Sequence, residues 1–78
     1  MERRGALRQR VLKPGKIEFE GGQVICMVHN MSDTGAMLDV VTPNGIPDHF
    51  TLIFRADGRC MPCHVVWRKE KRIGAAFE

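Results

Sequence analysis

The sequence predicts an all-β fold: a small six-stranded antiparallel β-barrel with a flexible basic N-terminal arm. Three observations carry this expectation. From about residue 15 onward, strand-like runs alternate with Gly, Pro, Asn and Asp punctuation at short intervals. No apolar stripe with i, i+3, i+4 spacing extends beyond two helical turns. Six short strands in 78 residues would also leave adhesive sheet edges unless the sheet closes on itself.

The first strand read from the sequence is "KIEF" (16–19), which leads into "EGGQ", where Gly21-Gly22 accepts positive φ without steric cost. "QVICMVHN" (23–30) ends at "MSDT", and "GAMLDVV" (35–41) comes next. The loop "TPNGIPD" holds two prolines and an Asn-Gly. "HFTLIFRA" (49–56) alternates, with Phe50, Leu52 and Phe54 on one face and Thr51 and Arg55 on the other. Asp57-Gly58 turns the chain into "RCMPCHVVW" (59–67), and "RKEK" turns it again into "RIGAAFE" (72–78). Residues 1–78 read as one domain, with an Arg-rich arm at 1–14 and the barrel at 15–78. Trp67 and Phe77 are expected in the core.

A chain this short buries only about 60% of the surface its unfolded form exposes, so its core is small. At 44% hydrophobic and 27% charged residues, its composition is that of a folded domain. It has no apolar run long enough for a membrane span and no apolar core of a secretory signal. With three cysteines, an odd number, it offers no disulfide framework, and a cytoplasmic location is the expectation. Charge is uneven: residues 1–16 carry +5 and the remainder −2. Such an arm suits an anionic partner. Only five aromatic residues occur, none in a basic strand pattern, so stacking platforms for DNA or RNA are poor. No nucleophile–base pair or paired carboxylates suggest an enzyme.

"CMPCH" at 60–64 has the spacing of covalent haem attachment. On a strand, however, Met61, Cys63, Val65 and Trp67 share one face while Cys60, Pro62, His64 and Val66 share the other. Cys60 and Cys63 then point apart, and an extended strand cannot present both thiols and His64 to one haem. Cys26 and His29 could join Cys60 and Cys63 as a zinc quartet. The favoured reading is simpler, with no metal: Cys26 and Cys63 are small buried hydrophobes, and Cys60 and His64 lie on a solvated face.

Two stretches carry more information. "RRGALR" (3–8) contains Arg-x-x-x-Arg at Arg4 and Arg8, and "NMSDTG" (30–35) reads Asn-x-Ser-x-x-Gly. The second alone is an ordinary turn, with Asn and Ser bonding nearby backbone and Gly35 free to take positive φ. In this order, and with β-hairpins after them ending in a late "VVWR…IGAAF", the pair resembles the PilZ domain family of bacterial cyclic di-GMP receptors. The resemblance spans nearly the whole chain. It implies that Arg4, Arg8, Asn30, Ser32 and Gly35 bind the ligand, and that Arg3 goes with binding a stacked pair of ligand molecules. It also implies a non-enzymatic adaptor without a cofactor, signalling to a downstream protein partner through its arm. A family member that contacts proteins without binding the nucleotide, a zinc barrel and a nucleic-acid barrel are the alternatives. The family often shows Asp where Asn30 stands and a second Gly where Thr34 stands, and many members continue beyond the point equivalent to Glu78.

Overall fold

The structure, a computed structural model, describes residues 9–42 and 44–78, and the side chains from residue 12 on. Its six strands are β1 (Gln9–Phe19), β2 (Gly22–Met31), β3 (Gly35–Val40), β4 (His49–Phe54), β5 (Cys60–Lys69) and β6 (Arg72–Phe77). They form a closed antiparallel barrel in the order β1-β2-β3-β6-β5-β4. Closure comes from β4 returning to β1, where Gly15↔Phe54 through Glu18↔Thr51 are paired. Among the described residues no helix is long and apolar enough to cross a membrane.

Period-two alternation fills the interior. Ile17, Val28, Leu38, Leu52 and Ile73 have no exposed surface, one from each of five strands, and β5 adds Cys63 at 1%. The connection from β3 to β4 crosses an end of the barrel and carries Ile46 into the core. Phe50, Leu52 and Phe54 point inward, as the alternation of 49–56 requires. Phe77 packs against the core, in agreement with the sequence.

β1 begins at Gln9, seven positions ahead of the start at residue 16 read from the sequence. Pro14 is the reason for the difference. A proline ordinarily marks a break, but Pro14 stands at the rim of the seam, just before the β4 ladder begins at Gly15, and on that side only its carbonyl is used, accepting from the Arg55 N–H at 3.2 Å. There a missing N–H costs no ladder bond. The arm residues 1–8, with Arg3, Arg4 and Arg8, lie outside the described residues.

Trp67 is the larger correction. The β5–β6 register shifts by one between Val65 and Trp67, which is a β-bulge at Val66. A one-residue slip reverses the facing of every later side chain in the strand. Trp67 therefore turns out of the core, is 42% exposed, and lies over Gly74, where a Cβ would overlap the indole.

The thiols divide as the strand reading expects. Cys26 and Cys63 are buried and Cys60 is exposed. Burial pushes the Cys26 thiol from 9.0 up to about 12, with Cys63 adding to the shift. Burial likewise raises Cys63 to about 11, against a backbone hydrogen bond with Leu52 that lowers it and the Glu78 charge that raises it.

The core and the thiols can each be checked in solution. Leu52→Ala should lower unfolding free energy by about 2–5 kcal/mol in urea melts, whereas Thr51→Ala, on the opposite face, should stay within about 1 kcal/mol. A thiol-specific chromogenic reagent should label Cys60 in the native protein and all three cysteines after unfolding. The folded state holds both buried protons above pH 9.0, where the unfolded thiols release theirs. Their contribution is thus complete below that pH and declines as pH rises towards the folded values. The slope is about 1.4 kcal/mol per pH unit for each thiol ionised only in the unfolded chain, so Cys26→Ala should show a shallower alkaline fall.

Candidate functional site

The Asn-x-Ser-x-x-Gly stretch forms the corner between β2 and β3, and each residue does something different there. Asn30 takes the left-handed conformation, with φ 47°. Asn tolerates that region better than most side chains. It faces the β1 register shift between Gln9 and Leu12, where β1 gains one residue over β2. This bulge reorients the strand end just before the turn.

Ser32 holds the turn together. Its N–H donates to the Gly35 carbonyl at 2.9 Å. Its Oγ accepts from the Thr34 N–H at 3.2 Å and lies 3.4 Å from the Gly35 carbonyl oxygen, to which it donates. Phe77 N–H donates to the Thr34 carbonyl at 2.8 Å, fastening the corner to β6. The backbone donors of Ser32 and Thr34 are therefore spent inside the turn.

Gly35 is required for another reason than the sequence suggests. It does not adopt positive φ; among the described glycines, Gly21, Gly45 and Gly58 do. It pairs with Ala76, and a Cβ on it would overlap the Ala75 carbonyl oxygen. Close approach of β6 is what excludes a side chain.

Asn30, Ser32 and Gly35 line one outer-wall cleft of ≈ 260 Å³. Val66, Trp67 and Gly74 form its other side. Simple alternation puts Trp67 in the core and so misses this wall. The available signal is Gly74, a glycine inside a strand pattern, which often marks close approach by another group. The arginine half of the expected site falls in residues 1–8, outside the described region. Its attachment point is nevertheless defined, because Gln9 pairs with Met31, the neighbour of Ser32.

Polar groups elsewhere on the wall are mutually engaged. Asp39 accepts from Arg72 Nε at 2.8 Å and pairs with His29 Nε2 at 2.7 Å. His49 and His64 Nδ1 lie 3.0 and 3.1 Å from the same Glu78 oxygen. His64 of "CMPCH" thus faces a carboxylate, while Cys63 beside it is buried in the barrel. Cys26, His29, Cys60 and Cys63 do not converge. Among the described residues no group of three or more His, Cys, Asp and Glu is placed to hold a metal ion.

The two glycines of the cleft give a direct check on this geometry. Gly35→Ala forces backbone apart and should cost about 1–3 kcal/mol in chemical denaturation. Gly74→Ala should displace the indole instead, and the fluorescence maximum of Trp67 should move to longer wavelength.

The sequence profile of the PilZ domain family matches residues 2–78. Comparison with curated proteins finds no match.

Proposed function

Because the chain belongs to the PilZ domain family, we propose that it is a non-enzymatic receptor for cyclic di-GMP whose Arg-rich arm closes over the ligand and signals to a downstream protein. The observation that supports this reading best is a juxtaposition. Asn30, Ser32 and Gly35 line a single cleft with Trp67 across from them, and β1 enters the barrel at Gln9 beside that same turn. Arg8 is the residue immediately before Gln9.

Each group suits a two-guanine, two-phosphodiester ligand. The Asn30 amide offers both a donor and an acceptor to a base edge. The exposed indole of Trp67 offers a stacking face to a purine. Arginine can fork onto guanine O6 and N7 or onto a phosphate, which lysine cannot do. Ser32 contributes by holding the corner in shape, since its hydroxyl and N–H already bond within it.

Size explains why an arm is needed. At ≈ 260 Å³ the cleft is smaller than the about 300–1,000 Å³ of ordinary small-molecule pockets. The wall alone would cover part of such a ligand, and Arg4 and Arg8 would cover the rest. An arm whose like charges repel without the anion and settle when it binds makes a disorder-to-order switch. Arg3 would extend the charge towards a second, stacked ligand molecule. Binding at a cytoplasmic second-messenger site accords with a family of binding and adaptor modules.

Titration with cyclic di-GMP, read by the fluorescence of Trp67 and by the melting temperature, tests the proposal. Wild type should show saturable quenching and a rise in melting temperature. Arg4→Ala and Arg8→Ala should each weaken binding about ten- to hundredfold, the loss expected for one charge-assisted contact of about 1.5–3 kcal/mol. Arg3→Ala should lower the ligand count per chain. Unchanged affinity in the Arg4→Ala/Arg8→Ala double variant would reject the arginine roles, and no response from wild type would favour the protein-contact adaptor.

A further inference from the structure

The outer wall carries a second and larger concavity, ≈ 740 Å³, below the Trp67 indole and towards the β5–β6 turn. Its floor is apolar: Ile25 and Met27 from β2, and Val41 past the end of β3. Five large hydrophobic residues stand exposed among the described side chains, and three of them, Ile25 at 64%, Val41 at 77% and Trp67 at 42%, line this one groove. Exposure concentrated in one place and rimmed by polar groups marks an interaction surface rather than scattered surface carbon.

Charge selects the occupant. Asp39, the carboxylate within the groove, is already held by Arg72 and His29. Lys69 and Lys71 stand on the rim with no ion pair among the described residues, against the single carboxylate of Glu70 at the turn. The balance on the rim is positive. An apolar floor beside ammonium groups fits a chain segment that places aliphatic side chains on one face and carboxylates at its edge.

We propose that this groove docks an acidic amphipathic segment of a partner protein. The site is distinct from the nucleotide cleft, and Ile25, Val41, Lys69 and Lys71 do not line that cleft. Trp67 lines both. A purine stacked on one side of the indole would therefore alter the wall that the partner meets on the other. That coupling rests on the nucleotide reading above, whereas the groove itself does not.

The test uses the whole chain and a synthetic Trp-free peptide of Leu and Glu in amphipathic order, with a Lys-for-Glu version as control. The Glu peptide should shift Trp67 emission to shorter wavelength, saturating with a midpoint near or below about 100 µM at low salt. Binding should weaken about tenfold in Lys69→Glu/Lys71→Glu and be lost in Ile25→Glu and Val41→Glu, whose side chains are already exposed and whose melting should be little changed. Equal binding of the Lys peptide, or no shift at millimolar Glu peptide, would overturn the proposal. So would a wild-type dimer in sedimentation that Val41→Glu dissolves, since the groove would then belong to a second copy. Cyclic di-GMP titration of Ile25→Glu reads the cleft separately, so failure of the groove and failure of the nucleotide site give different patterns.

Discussion

The return of β4 to β1 is the constraint on which everything else rests. An open six-stranded sheet of this length would present two hydrogen-bonding edges and two faces, and its small apolar content could cover only one face. Pairing Gly15 through Glu18 with Phe54 through Thr51 removes the edges along that seam and gives every strand an inside and an outside. Inside, the side chains of Ile17, Val28, Leu38, Leu52 and Ile73 leave no exposed surface. A barrel this narrow fills its interior with its own side chains. Any ligand of appreciable size must therefore be met on the outer wall.

An outer wall of regular strands is convex and offers little to hold on to. Here the relief comes from two places where regular pairing fails. At Asn30 a left-handed residue faces an extra residue in β1, and at Val66 a bulge rotates the end of β5. The first sets the corner that carries Ser32 and Gly35; the second sends Trp67 outward. Between them lie Gly35 and Gly74, each lacking a Cβ at a spot already taken, by the Ala75 carbonyl in one case and by the indole in the other. The cleft exists because two residues have no side chain and a third has been turned around.

This geometry also explains which features are legible in the sequence. Strand count and class are readable, because "HFTLIFRA" and "RIGAAFE" keep a period of two and the six runs are bounded by turn residues. The opposite facing of Cys60 and Cys63 comes from the same period. Events that break the period are not readable. Nothing local marks Val66 as the extra residue, so simple alternation sends Trp67 inward. Pro14 reads as a stop, since its tolerance depends on where a strand distant in sequence begins to pair. Gly35 reads as a conformational glycine when its actual requirement is set by β6, at the far end of the chain. Asn30, Ser32 and Gly35 are legible as a group, whereas Trp67 across the cleft is not.

The same openness that makes the wall available makes it a poor binding site by itself. A shallow cleft leaves much of a ligand in water, where each hydrogen bond competes with solvent and contributes little net free energy. Covering it from outside excludes that water and strengthens charge-assisted contacts. Only a segment anchored nearby can do so at modest entropic cost, because loop closure grows more expensive with the length of chain to be ordered. The pairing of Gln9 with Met31 supplies that anchor at the edge of the motif turn. A segment starting at Arg8 would have only a few residues to span from that fixed point, which keeps the entropic cost of the proposed closure low.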